Sequence, residues 1–409
     1  MRFFDGVWSE PRWRALWAAQ LGFLLDAMDV LLYVFAIQTL KAQFGWTNAQ
    51  AGAVSSATLI ASAFGGILAG WVSDRLGRRR TLIYTILLYS LASAGSATAG
   101  SLGALLMWRA LVGLGLGGEW SAGATLVAEW WPAQHRGKAV SFMQSGWALG
   151  YIAAAGLSAL ILPTLGWRAL FLCGVLPALF TLWIRRHVAE PAIWRDSRGP
   201  RGRLRDLFRH PLRRRTIAAT TLATSVLFGY WGLFTWLPGF LSASAEQGGA
   251  GLDIVRTSGF MIAMQIGAFF GYLAFGYLAD RLGRRPAFAL YVALAALLTP
   301  LYGLAPRWGG EMALLALGPL VGFFGTGFFS LFGAMLAEIY PTPIRGLGQG
   351  FVYNFGRGLS ALAPYAVGAI GDTSGLGAAL GLNSAFFLMA AGLVFLLPET
   401  RGTGLESVD

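Results

Sequence analysis

The chain has 409 residues, of which 56% are apolar and only 12% charged, and its 56 glycines complete a composition that excludes an ordinary soluble globular domain. Its net charge of +12 does not mark a nucleic-acid binder, because the basic residues flank long apolar segments and show no aromatic interleaving on a soluble module. The single cysteine, Cys173, excludes an internal disulfide, and three isolated histidines give neither a metal-ligand cluster nor a nucleophile triad, so no enzyme, metal or cofactor is expected.

Twelve apolar stretches follow in chain order, each long enough to cross a hydrocarbon core of roughly 30 Å. The first, 13–40, carries Asp26 and Asp29 and lacks a small-residue cleavage pattern, so it is expected to remain as a span and not to be a signal peptide. Spans 48–73 and 80–99 are joined by Gly70-Trp-Val-Ser-Asp74-Arg75-Leu-Gly77-Arg78-Arg79-Arg80. Span 102–131 holds Arg109 and a glycine run ending in Glu119, and spans 137–162 and 166–186 complete the first half. A polar linker, 187–213, separates the halves; within it Leu204 to Phe208 reads either as a short amphipathic piece on the inner leaflet or as part of a basic tether. The second half contains spans 214–241, 254–280, 285–305, 309–340, 344–370 and 377–397. The domains are therefore expected at 1–186, 187–213 and 214–409.

Basic residues next to spans are retained on the cytoplasmic side. With a cytoplasmic N-terminus the inner segments collect both repeated loops, Arg136, Lys138, eleven arginines from Arg185 to Arg215, and Arg345, whereas the outer loops hold only Lys41, Arg168, Arg256 and Arg307. The asymmetry predicts a multi-pass protein of the cell inner membrane with both termini cytoplasmic. An anionic lipid leaflet is the expected partner of its charge, and the chain is expected to act as a monomer.

The loop of residues 70–80 recurs as Gly276-Tyr-Leu-Ala-Asp280-Arg281-Leu-Gly283-Arg284-Arg285, 206 residues later. A second pair, Glu129-Trp-Trp-Pro132 with Arg136-Gly137 and Glu338-Ile-Tyr-Pro341 with Arg345-Gly346, repeats at 209. The chain is an internal duplication. Six spans per half give both copies one orientation, related by an axis along the membrane normal, with a site expected near the midplane between them.

The Gly-x-x-x-Asp-Arg-x-Gly-Arg-Arg loop resembles the signature between helices 2 and 3 of the major facilitator superfamily, repeated between helices 8 and 9. That resemblance covers the whole chain and implies an all-α membrane protein of the major facilitator fold, with twelve transmembrane helices in two six-helix halves related by pseudo-twofold symmetry. Leu25-Asp26-Ala-Met-Asp29, the run Arg109 to Trp120, and Glu129 to Ala139 resemble the sialate:proton symporter family, which includes sialic acid and lactate-type monocarboxylate carriers. The Asp-x-x-Asp pair is also similar to that of aromatic acid:proton symporters. Both resemblances imply an organic anion moved with protons; sugar and drug carriers of the same fold match these segments less well.

Ionisable residues inside a bilayer are costly and therefore functional candidates. Counting helical rise from the inner boundary brings Asp26, Glu119 and Arg357 to one level, roughly 15–18 Å deep. Asp26, Asp29 and Tyr33 fall at i, i+3 and i+7, so one face of helix 1 is expected to carry two acids and a phenol toward one region. Asp26, Asp29 and Glu119 are the candidates for proton coupling, with a static ion pair as the alternative. Arg109 is expected nearer the outer surface, and the family resemblance implies a part for it in coupling. Arg357 is the candidate for gripping a carboxylate, because a guanidinium binds it bidentately and stays charged; a structural pair across the halves is the alternative. Asn354, Gln144, Trp120 and Gln265 are candidates for lining the cavity, although core packing suits each of them.

The repeated residues have a different expected role. Asp74, Arg75, Arg78, Asp280, Arg281 and Arg284 are read as gating elements, with the two aspartates meeting a helix N-terminus of the opposite half or a neighbouring arginine. Glu129 with Arg136, and Glu338 with Arg345, are the expected partners in the same gate. The acids lie in the first half and Arg357 in the second, whose counterpart at a shift of 209 is Ala148. The expected function is secondary active transport of a monocarboxylate or sialic acid-like anion with protons by alternating access. An aromatic acid or sugar carrier, or a facilitated uniporter of the same fold, is the alternative.

Overall fold

The computed structural model describes residues 10–131, 133–187, 204–341 and 344–400, and among these all regular structure is helical. In the first half α1 spans Pro11–Phe44, α2 Asn48–Leu76, α3 Arg78–Ser96, α4 Leu102–Trp130, α5 Ala133–Leu172 and α6 Leu176–His187. The second half contains α7 Leu212–Ser242, α8 Ile254–Leu282, α9 Arg284–Trp308, α10 Gly310–Thr326, α11 Phe329–Ile339, α12 Arg345–Ser360, α13 Ala363–Ser374, α14 Leu376–Ala379 and α15 Gly381–Leu393. Among the described residues, eight helical stretches are by themselves long and apolar enough to cross a bilayer.

The remaining expected spans differ in how they are built. Spans five and six form one helical run that Gly166 breaks at a positive φ of 74°, so α5 contains the whole fifth span and the start of the sixth. A 3-10 turn, Cys173–Val175, then leads into α6. The tenth and eleventh spans are each two helices, α10 with α11 and α12 with α13. Segment 204–208 is a 3-10 turn, not an unstructured tether, and its Leu207 is fully buried. The exterior is apolar: Leu160 is 75% and Met312 76% exposed, the inverted pattern of a chain solvated by lipid.

The repeated loops take one backbone conformation. Gly77 has φ 100° and ψ 159°, and Gly283 φ 101° and ψ 159°, a region open in practice only to glycine. This is the physical reason for the glycine that recurs in register in both copies. Each links a helix end to the next helix start, at the face of the molecule called here the loop face.

The glycine run of α4 sets the packing of the first half. Gly113 and Gly117 lie against the α2 backbone at Thr58 and Ser62, whereas Gly115 and Gly118 face Thr85 and Tyr89 of α3. A side chain at these positions would separate the helices, which is how small residues act in membrane bundles. The halves meet along α2 with α13, α1 with α7, and α5 with α8. On the face opposite the loops this meeting is tight. Asp372 of α13 accepts hydrogen bonds from the backbone N–H groups of Asn48 at 2.9 Å and Ala49 at 3.0 Å, so an acid of the second half caps the first turn of α2. Gln38 Nε2 donates to Gly239 O at 3.3 Å beside it, and Gly52 packs directly on the Pro364 backbone.

Candidate functional site

Between the halves, at mid-depth, lies a cavity whose walls come from both. From α1, Phe23, Asp26 and Val30 form one stripe at i, i+3 and i+7. Thr58 and Ser62 face in from α2, Gln144 and Trp147 from α5, Tyr230 and Trp231 from α7, Phe329 from the start of α11, and Tyr353 and Arg357 from α12. It therefore combines one acid, one arginine and six aromatic rings.

Arg357 is held in place from three sides. It extends from α12, donates from Nη1 to Ser62 Oγ of the opposite half at 2.6 Å, and lies over the Tyr353 ring with its guanidinium carbon 4.8 Å from the centroid. Its Nε is buried without a hydrogen-bond partner among the described residues, so the donor capacity of the fork is not exhausted. Asp26 lines the same cavity, and its Oδ1 is likewise without a partner among the described residues. The carboxylate feels the charges of Glu119, Arg357 and Asp29.

The expected common face of Asp26, Asp29 and Tyr33 is not what the helix presents. Phe23, Val30 and Asp26 fall within about 60° of one another around the helix, and Asp29 lies about 60° further on, beyond the edge that Asp26 forms, off the cavity stripe. Asp29 is fully buried inside its own half, where its Oδ1 and Ser93 Oγ both crowd Gly174, and Arg109 of α4 is its charged neighbour. Tyr33, roughly 10 Å further along the axis by helical rise, lies beyond the cavity and donates its hydroxyl to Ala51 O at 2.8 Å. Arg109 donates to Val30 O at 3.2 Å and lies 5.3 Å from the Tyr33 ring centroid. Asp29, Tyr33 and Arg109 thus form one buried cluster set back from the cavity.

Glu119 is also set back. Its carboxylate lies against Gly22, less than one turn from Phe23. The Tyr89 hydroxyl of α3 is the polar neighbour of that carboxylate, as Ser93 is of the carboxylate of Asp29. The depth count therefore finds the level of Glu119 but not its direction.

Of the expected lining residues, Gln144 faces the cavity and Nε2 donates to Phe329 O of the other half at 3.5 Å. Asn354 does not line it: its side chain packs on Gly66 and donates to Gly350 O at 3.0 Å. Gln265 of α8 is buried away from the cavity. The side chains of Trp120, Asp74, Arg75, Arg78, Glu129 and Arg136 lie outside the described residues.

The aromatic lining escaped the sequence reading. Trp147 Nε1 donates to the Tyr230 hydroxyl across the two halves. Its ring lies 5.1 Å from Phe23 and meets Trp231 edge-on at 5.8 Å, and Tyr230 meets Phe329 edge-on at 5.3 Å. These are the favoured geometries of aromatic pairs. Trp147 is eleven residues past Arg136, nearly the same offset that placed Asp26, so a depth count over aromatics as well as charges carries the signal.

At the loop face Asp280 pairs with the neighbouring Arg284 at 2.7 Å, one of the two partners expected for it. Glu338 meets Arg284, with an N–O distance of 3.8 Å, and Thr400, in place of the expected Arg345. The reason is local: Glu399 accepts from the backbone N–H groups of Arg284 and Arg285 at 2.8 and 3.1 Å, which draws 399–400 and the start of α9 together beside Glu338. Arg281 is exposed at the end of α8.

A bundle of membrane-spanning helices in two halves, enclosing a polar and aromatic cavity at their interface, defines a membrane transporter and not an enzyme. The chain belongs to the major facilitator superfamily, whose family model matches residues 20–272 and 244–407. It is 36% identical over 411 residues to a probable 4-methylmuconolactone transporter of Cupriavidus pinatubonensis, covering 98% of this chain and 94% of the relative. It is 29% identical to the sialic acid transporter NanX of Escherichia coli, covering 91% and 90%, in line with the resemblance to sialate carriers. Among solved structures, the crystal structure of a D-xylose-proton symporter matches with a TM-score of 0.77 at 21% identity, over 95% of this chain and 98% of that one, and shows the shared fold.

Proposed function

We propose that this protein is a proton-coupled carrier of a small organic anion, in which Arg357 holds the substrate carboxylate and Asp26 exchanges the coupled proton. The observation that carries this reading is the placement of both groups on one cavity between the halves, with part of the Arg357 fork unengaged. Charge balance gives the coupling its physical basis. Setting aside Arg12, which pairs with Glu10 at the start of α1, the buried acids Asp26, Asp29 and Glu119 outnumber the buried arginines Arg109 and Arg357 by one among the described residues. A bound carboxylate adds a further negative charge, and a proton taken up by the acids offsets it before the loaded carrier reorients.

The lining supports a flat, unsaturated or aromatic acid over an aliphatic one. Six rings line the cavity with the arginine, and in this reading a planar substrate stacks on them while its carboxylate reaches the guanidinium. In this reading both termini and the repeated loops face the cytoplasm across the inner membrane, an orientation supported by the distribution of arginine. The loop-face pairs Asp280–Arg284 and Arg284–Glu338 lie within the second half and act in this scheme by fixing the loop-face ends of α8, α9 and α11 to one another as that half rocks.

The test is uptake into proteoliposomes holding a neutral interior in an acidic medium, with radiolabelled benzoate and lactate compared. Accumulation above equilibrium that a protonophore abolishes is the expected result, with benzoate ahead of lactate. Equal uptake with and without the pH gradient would refute the coupling.

A further inference from the structure

We propose that the groove at the loop-face end of α7 is a binding site for one anionic phospholipid, its phosphate headgroup on Arg213, Arg214 and Arg215 and an acyl chain along Ile217 and Leu396. The groove has a volume of about 1010 Å³ and lies between the first turns of α7 and the chain from Leu393 to Pro398. It is outside the central cavity and shares no residue with it.

Its two ends differ in chemistry. At the polar end three consecutive arginines have no acidic partner among the described residues; Asp206, the nearby acid in sequence, pairs with Arg209 at 3.4 Å. At the other end Phe208 is 44%, Ile217 51% and Leu396 55% exposed, apolar surface that continues from the arginines toward the bilayer. A free phosphate would satisfy the arginines and leave the apolar wall unused. A lipid with an anionic headgroup matches both, with charge at headgroup depth and hydrocarbon beyond it.

Phe208, which lines the groove, sits on a turn that is already held in place, and this lowers the ordering cost of binding. Leu207 is fully buried, and its carbonyl accepts from Thr216 Oγ1 at 3.0 Å. Tyr340 in turn donates to Thr216 at 3.1 Å, and Phe208 meets Phe351 edge-on at 5.5 Å. The 3-10 turn of residues 204–208 is thereby fixed to the second half beside α7 and α12.

Native mass spectrometry of the delipidated full-length protein, titrated with phosphatidylglycerol and with phosphatidylcholine of the same chains, tests the site. Phosphatidylglycerol is expected to be retained preferentially, and the variant R213Q/R214Q/R215Q to bind it roughly a hundredfold more weakly, at about 1 kcal/mol per arginine near a charged surface. Leu396→Asp keeps the arginines and is expected to weaken binding as well. Equal affinity of the wild-type protein for the two lipids, or unchanged phosphatidylglycerol binding in the folded triple variant, overturns the proposal. So does displacement of the lipid by millimolar inorganic phosphate, which would make a soluble anion the occupant.

Discussion

Arg357 is carried by the second half, but its guanidinium is oriented by Ser62 of the first, at 2.6 Å across the interface that must open during transport. The group that would hold a substrate therefore reports on the closure of the two halves at the same time.

Replacing this guanidinium with a point charge should separate binding from folding. Arg357→Lys is expected to weaken carboxylate affinity about 10–100-fold, the value of one to two charge-assisted hydrogen bonds, with a normal elution profile on gel filtration. Isothermal titration with benzoate reads the change, and unchanged affinity would remove Arg357 from the site.

Asp26→Asn should uncouple the carrier. The proton is a co-substrate in this scheme, so wild-type uptake falls as the external pH is raised. The Asn variant is expected to lose uphill accumulation and this pH dependence while still exchanging labelled for unlabelled anion across the membrane. Retained accumulation would assign the proton to Asp29 or Glu119.

The cap that Asp372 places on α2 predicts a conformational shift. Losing the cap costs about 0.5–2 kcal/mol, so Asp372→Ala should move the equilibrium roughly two- to thirtyfold toward opening of that face. Spin labels at the exposed Gln50 and Thr373, in a Cys173→Ala background, measure it by their distance distribution. An unchanged distribution would show that the cap does not bias the closure.

Helix packing in the first half gives a stability test with an internal control. A methyl at Gly117 would strike the Ser62 carbonyl and the Gly66 backbone, so Gly117→Ala is expected to cost about 1–3 kcal/mol and lower the melting temperature. Gly156 has open space where its side chain would be, and Gly156→Ala should leave stability unchanged or raise it slightly.

Much of this protein was legible in its sequence because the relevant physics is local. Span length follows from the thickness of a bilayer, the loop glycines Gly77 and Gly283 from a backbone region that only glycine enters, and the close approach of α4 from a run of small residues. Those constraints act within a few residues of the motif, and the duplication repeats them. Burial cost likewise picked out Asp26, Asp29, Glu119, Arg109 and Arg357 as the charges to explain, because lipid penalises each one wherever it points.

Direction was decided only by tertiary structure. Sixty degrees of helix rotation separates Asp26, on the cavity, from Asp29, facing Ser93 and Arg109, and a periodicity count treats the two as neighbours. Which aromatic rings face the arginine depends on how two halves, far apart in sequence, are brought together, as Trp147 and Tyr230 show. The sequence by itself determined that this is a duplicated helical membrane protein with ionisable residues at its centre. The packing of one half against the other decided which of those charges share a cavity, because contact between helices is a property of their mutual rotation and not of either chain segment alone.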